Sequence, residues 1–245
     1  MDANEITILK RNEIIRGHSG ELDINSRRLL NAIYWGIQKY KIHDNKAQNF
    51  SFSTLRSLMH LGTDERYVSI IEIALDSLMK PIKLRNYCHI DGIEYKIFAM
   101  QFISGYRVTK ADTNTVEITF NKDMNELLKV HENFTKLEFL KYSNSFRSKY
   151  TVALYEYLKS FEGYKYIDMS MDNLNELLGS NSSYFSDLSK VVDRCIKEIV
   201  SKSDLKHIKR RGFKKDKFFR FYLSKDAGAA KVKKMMKSNQ LFNTF

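Results

Sequence analysis

Residues 170–223 run in an order that few folds accommodate: a short amphipathic helix, a tight break, a long amphipathic helix and a basic β-hairpin. The spacing predicts the short helix over Asp172–Leu178, with Leu174, Leu177 and Leu178 on one face and Gly179 as its C-terminal cap. The long helix is predicted over Tyr184–Val200. Its apolar residues Leu188, Val191, Val192, Cys195, Ile196 and Ile199 recur at helical spacing and make a single buried stripe. Leu205–Arg210 and Lys217–Leu223 then read as strands joined by Arg211–Asp216. This is the order of a winged helix-turn-helix, in which one helix enters a DNA groove and a charged wing grips phosphates.

Charge supports that reading because it is unevenly placed. Residues 1–134 hold 18 Lys+Arg against 17 Asp+Glu, whereas residues 135–245 hold 23 against 12. Within 205–237 the count is 13 basic to 2 acidic. A field of that density attracts polyanions, and double-stranded DNA is the expected partner. A solubilising, solvated surface would scatter its lysines instead.

The first half repeats the plan. Asn25–Tyr40 reads as a helix with Leu29, Leu30, Ile33 and Ile37 inward and Asn25 or Ser26 as cap. Phe50 and Phe52 alternate like a strand. Ser53–Leu61 reads as a short helix stopped by Gly62, and Thr63 as the cap of a long helix with Asp64 and Glu65 in its first turn. Pro81 ends that helix. A hairpin follows with Asp91-Gly92 at its turn, then strands over Gln101–Val108 and Thr115–Phe120. In the second half Ser145 is the expected cap of a helix with Tyr150, Ala153, Leu154, Tyr157, Leu158 and Phe161 on one face, and Ile167, Met169 and Met171 alternate as a strand. A shift of 121 positions lays Tyr67 on Leu188, Ile70 on Val191, Ala74 on Cys195 and Leu78 on Ile199. The expected fold class is therefore α+β, two tandem winged-helix domains, each a helix-turn-helix plus a β-hairpin wing. The first is assigned to residues 1–130, the second and main DNA reader to 131–225, and a basic tail to 226–245.

The two long helices differ on their outer faces. Asp64, Glu65, Glu72 and Asp76 make the first one acidic. On the second, Ser186, Lys190 and Lys197 lie opposite the stripe with Ser189 and Arg194 at its edges, and Asp193 is the dissenting charge.

These residues also resemble a known family, the theta-type plasmid replication initiators that bind iterons, of the RepA/RepE/π type. The resemblance is densest in Phe134–Leu140 (FTKLEFL) and Ser145–Phe161 (SFRSKYTVALYEYLKSF). Leu177-Leu178-Gly179, Tyr184 and Val192 with Ile196–Ile199 match its passage from turn to recognition helix, and Leu22–Leu30 is similar to its first-domain helix. The match runs from about residue 6 to 223 and leaves the tail out. The resemblance implies two winged-helix domains, iteron binding as a monomer, and dimerisation through the first domain with repression of the initiator's own promoter. It also implies recruitment of host replication proteins, in the bacterial cytoplasm on plasmid and nucleoid DNA.

The DNA-contacting candidates are Arg147, Ser148 and Lys149 at a helix start, where charge and free N–H groups suit a phosphate. Tyr184, Ser186, Ser189, Lys190 and Arg194 follow on the recognition helix, with Arg and Lys suited to guanine edges. Tyr184 is equally a structural staple at the helix entrance. Lys209, Arg210, Arg211, Lys214 and Lys215 form the wing group. Phe219, Phe221 and Leu223 alternate in one strand and read as core. The tail residues Lys231–Lys237 are a phosphate-binding arm or an unstructured end.

Other classes find less in the residues. No apolar run has the length of a membrane span and the N-terminus has no signal-peptide pattern, so no membrane is expected. Cys88 and Cys195 are expected as packed thiols in a reducing cytosol. A rolling-circle nicking enzyme needs paired metal-binding histidines, and the six histidines stand apart. A nucleotide-binding phosphate loop is missing. No catalytic residues, metal or cofactor are therefore expected. A winged-helix repressor without a replication role is the nearer alternative.

Overall fold

The computed structural model describes residues 6–17, 22–40, 47–63, 66–88, 93–123 and 134–224. The first half comprises β1 (Ile8–Arg11), α1 (Asn12–Arg16), α2 (Ile24–Tyr40), β2 (Gln48–Ser51), α3 (Phe52–Leu58), α4 (Tyr67–Leu78), β3 (Ile82–Cys88), β4 (Glu94–Met100), β5 (Ile103–Arg107) and β6 (Thr115–Phe120). After β7 (Phe134–Leu137) and a 3-10 turn at Ser143–Ser145 come α5 (Lys149–Lys159), β8 (Tyr166–Ser170), α6 (Met171–Leu178), α7 (Phe185–Lys202), β9 (Lys209–Phe213) and β10 (Phe218–Tyr222). Helix, strand, helix, helix and antiparallel hairpin recur in each half. The chain holds two winged-helix domains of mixed α+β class.

The repeated stripes are buried as the spacing predicts. Ile71, Ala74 and Leu78 on α4, and Val192, Cys195 and Ile199 on α7, are all buried in register with the 121-residue shift. Gly179 ends α6 at φ +60°, in the left-handed region where glycine carries no Cβ penalty.

Sheet pairing corrects the assignment of the first wing. In the second domain the order is β8-β10-β9, so the strand before the helix-turn-helix pairs with the last strand of the wing. The first domain's order is β2-β6-β5. Its topological wing is thus β5–β6, and the expected wing, β3–β4, is an added two-stranded ribbon between α4 and that sheet. Sequence order favours the nearest hairpin, but β2 finds its partner through Phe50 and Val116, both buried.

Several boundaries also move. Asp23, not Asn25 or Ser26, caps α2, accepting the Asn25 and Ser26 N–H groups at 2.7 and 3.1 Å. Phe52 and Met171 open helices instead of ending strands, behind side-chain caps from Ser51 and Ser170. The α3 helix stops four residues before Gly62, with His60 at φ +55°. Thr63 lies four residues ahead of α4 and does not cap it. Ser145 sits in the 3-10 turn, and Ser148 caps α5 by accepting the Tyr150 N–H at 3.2 Å. Asp64, Glu65, the Asp91-Gly92 turn, the Cys88 side chain, most of the boundary near residue 130 and the tail lie outside the described residues.

Helix α5 departs furthest from its expected single face: Thr151 through Glu156 are all buried. It packs on α6 and α7 of its own domain and also on α1, α2 and β7. Strand β1 pairs antiparallel with β7, Ile8 facing Leu137, so the start of the chain joins the second half. Arg16 donates to Ser160 Oγ and carbonyl at 3.1 and 2.7 Å and covers the Phe161 ring. Arg28 donates to the Asn144 and Phe146 carbonyls at 3.0 and 2.9 Å. At the centre, Lys10 meets Glu156 at 2.9 Å, and Asn31 donates to the same carboxylate at 3.0 Å. The two domains share one continuous apolar core.

Candidate nucleic-acid interface

The turn before α7 is pinned by one side chain. Asn175 Oδ1 accepts from Ser180 Oγ at 2.5 Å and Ser182 N at 3.3 Å, while its Nδ2 donates to the Ser182 carbonyl at 2.9 Å. This fixes the passage from α6 into α7. Phe185 in the first turn of α7 stacks on Phe219 of β10 at 4.5 Å, fastening the helix to its sheet. Gly212 permits that approach, since a Cβ there would meet the Phe185 ring at 2.9 Å. The Phe185 contact was readable, because 185, 188, 192, 195 and 199 extend the stripe by a turn.

On the opposite face, Ser186, Lys190, Arg194 and Lys197 are exposed and Ser189 is half-buried. Lys190 makes an i,i+3 contact with Asp187 at 3.3 Å, and both side chains remain largely in solvent. Tyr184 is 72% exposed. Its carbonyl, not its ring, serves the helix start, accepting the Asp187 and Leu188 N–H groups. The staple reading of Tyr184 therefore falls, and its ring stands free at the tip of α7.

The wing is shorter than its sequence suggests. Arg211, Gly212 and Phe213 belong to β9, and Lys214–Lys217 make the turn. Phe213 and Phe218 stack at 4.3 Å across its base. Strand alternation then sorts the cations. Lys209 and Arg211 are exposed, as are Lys214 and Lys215. Arg210 turns the other way, with only 15% of its side chain exposed. It holds Asp193 in a bidentate pair, with Nε to Oδ1 at 2.8 Å, and lies over the Phe219 ring at 5.6 Å. Phe219 and Phe221 are core, as the alternation predicts.

The third group is altered by a neighbour. Glu198 of α7 accepts the Arg147 N–H at 3.0 Å, the Thr151 hydroxyl at 2.8 Å and the Lys202 ammonium at 2.8 Å. Burial pushes this carboxyl up, but those three donors outweigh it and hold it below the usual range. A carboxylate thus already occupies the start of α5, and Ser148 is engaged as its cap. Of the trio, the exposed Arg147 side chain remains directed to solvent, and Lys149 lies 5.3 Å from the centre of the Tyr150 ring. Glu198 and Asp193 were invisible as partners because Glu198 meets the start of α5, 51 residues away, and Asp193 meets β9 only once the hairpin folds back along α7. Cys195 is a buried thiol, pushed up to about 11 by burial.

The first domain presents a different surface. Glu72 and Asp76 lie on α4, and Asp76 accepts the Tyr106 hydroxyl at 2.9 Å. Among the described residues, no group of His, Cys, Asp and Glu is placed to hold a metal ion, and no helix is long and apolar enough to cross a membrane.

A family model described as initiator replication protein, WH1, matches residues 7–159. Among solved structures, the chain is similar to the Pi initiator protein in complex with iteron DNA. It covers 91% of this chain and 99% of that one, with a TM-score of 0.63 and 17% identity. A second structure, domains 2 and 3 of RctB, aligns over 81% of this chain and 80% of its own at a TM-score of 0.49 and 11% identity. Likeness at these identities is a likeness of fold. No curated protein sequence matches the chain.

Proposed function

The chain belongs to the family of initiator replication proteins with a WH1 domain, and from that membership we propose that it starts plasmid replication by binding direct repeats of double-stranded origin DNA. The observation that carries this reading is the pairing of one outward helix face with a basic wing. The exposed Ser186, Lys190, Arg194 and Lys197 stand on α7, and Lys209, Arg211, Lys214 and Lys215 stand on the adjacent hairpin. Helix α7 enters the major groove, with Tyr184 at its leading end, and the wing grips flanking phosphates. Arg147 adds a backbone contact. Ser148 and Lys149 flank α7 on the side of Glu198 and Ser189 flanks it on the side of the wing, with Ser148 acting mainly on the helix start.

The first domain adds positioning contacts and a surface for a second copy. Its β3–β4 ribbon exposes Ile93 and Ile97, and pairing of that ribbon between copies would give the dimer that represses the initiator's own promoter. The monomer is the origin-binding form, and host replication proteins are recruited to it in the bacterial cytoplasm, on plasmid and nucleoid DNA.

Two winged helices in one chain cover two successive major grooves about one turn apart, so the target is a direct repeat of roughly 20 base pairs. Sedimentation of the complex on a single repeat should give one chain per repeat. Two chains on one repeat, or a first domain that can be deleted without loss of affinity, would overturn the reading.

Reading and gripping should separate by mutation. Lys190→Ala or Arg194→Ala should weaken repeat binding by roughly 1–3 kcal/mol and relax preference at particular base pairs. Lys214→Ala with Lys215→Ala should weaken all sequences alike and shallow the salt slope by about 2. Binding isotherms on repeat and scrambled DNA distinguish the two; identical behaviour would end the distinction.

A further inference from the structure

We propose that the Asp193–Arg210 pair is a specificity device: it withholds a wing arginine from DNA phosphates and sets a carboxylate on the wing-side edge of the presented helix face, so that binding without matching base contacts is penalised. The inference rests on the DNA-reading role proposed above for α7 and the wing.

At 100° per residue the buried residues Leu188, Val192, Cys195 and Ile199 centre on one side of α7, and the exposed Ser186, Lys190, Arg194 and Lys197 on the other, with Asp193 displaced from that centre toward Ser189 and the wing. Asp193 therefore lies on the flank of the presented face that meets the wing. Its side chain is 58% exposed, so it remains visible to a duplex lying against this face. A carboxylate there repels phosphates wherever the helix rests on DNA loosely.

Arg210 lies on the side of β9 that faces α7, opposite to the exposed Lys209 and Arg211, and without a partner on the helix its fork would be left for a phosphate held between helix and wing. Arg210 instead commits its fork to Asp193, with Nη2 of that fork also 3.4 Å from the Ser189 carbonyl, and lies on Phe219. A bidentate guanidinium–carboxylate pair fixes orientation as well as charge. It locks the wing strand against the recognition helix at one spacing. The protein thereby gives up one sequence-independent contact and gains a fixed geometry for sequence-dependent ones. That trade lowers affinity for random DNA more than for the matched repeat.

The test compares wild-type protein with Asp193→Asn and Asp193→Ala on repeat DNA and on random duplex across a salt series. Thermal melting checks that each variant folds. Both variants should bind random duplex roughly three- to tenfold more tightly. The salt slope on random duplex should steepen by about 1 as Arg210 takes a phosphate. The ratio of repeat to random affinity should fall. Arg210→Gln in the Asp193→Asn background should cancel the added slope.

Weaker binding to both DNAs at an unchanged slope would make the pair a plain structural staple. Loss of repeat affinity with random binding untouched would make Asp193 a base reader, accepting from a cytosine amine. Either result overturns the proposal. A wild-type protein that binds neither DNA would instead remove the reading of α7 and the wing on which the proposal rests.

Discussion

Replacing Glu156 by alanine is expected to cost the folded protein about 3–5 kcal/mol, a large share of the stability of a domain this size. The side chains of Lys10 and Glu156 are only 5% and 3% exposed. Lys10 donates to Glu156 at 2.9 Å and to Asn31 Oδ1 at 3.2 Å, and Asn31 returns a hydrogen bond to the carboxylate at 3.0 Å. Deleting the carboxylate leaves an ammonium buried beside Arg27, whose charge already opposes it. The uncompensated cation supplies most of the expected loss, more than the missing contact does. Lys10→Met combined with Glu156→Leu removes both charges and should restore most of the stability. Chemical denaturation of the wild-type protein and the two variants reads the result. A cost for the single variant under about 1 kcal/mol would mean that water reaches the pair.

The same pair gives an acid limit. Burial pushes the Glu156 carboxyl up, but Lys10, Arg27 and the Asn31 hydrogen bond together hold it below the usual carboxylate range. A folded-state value below the unfolded one adds stability that is complete above roughly pH 4.3. That contribution is lost as pH falls through the folded value. Stability measured against pH should therefore decline below about pH 4, and the decline should be shallower in the charge-free double variant.

Salt should have the second large effect. With about six phosphates neutralised by the second domain, log K against log salt should fall with a slope near −5. Between 50 and 200 mM salt that amounts to about a thousandfold loss of affinity, or roughly 4 kcal/mol. The exposed Arg147, Lys197, Lys209, Arg211, Lys214 and Lys215 should carry most of this, and Arg210 is outside the sum because Asp193 holds it. Fluorescence anisotropy on a repeat duplex measures the slope directly. A flat response, or a preference for single strands, would exclude groove binding by this face.

Residues near one another in the chain made much of this legible in advance. The stripe Leu188, Val192, Cys195 and Ile199 is a periodic demand for burial, and a helix answers it whatever lies beyond. Gly179 marks a left-handed stop for a reason internal to one residue. The basic count of residues 205–237 locates a wing because charge needs no partner to be read. Tertiary structure decided what depends on residues far apart. Strand β2 carries the same alternation whether it pairs with β4 or β6, and the choice of β6 made β5–β6 the first wing. Helix α5 shows one apolar face in its spacing because spacing reports only its own domain, yet α1, α2 and β7 bury the rest. Arg210 and Asp193 are 17 residues apart and of ordinary type. Their pairing exists because β9 folds back along α7 and strand alternation turns Arg210 inward, which turns an expected gripping residue into a fixture of the interface.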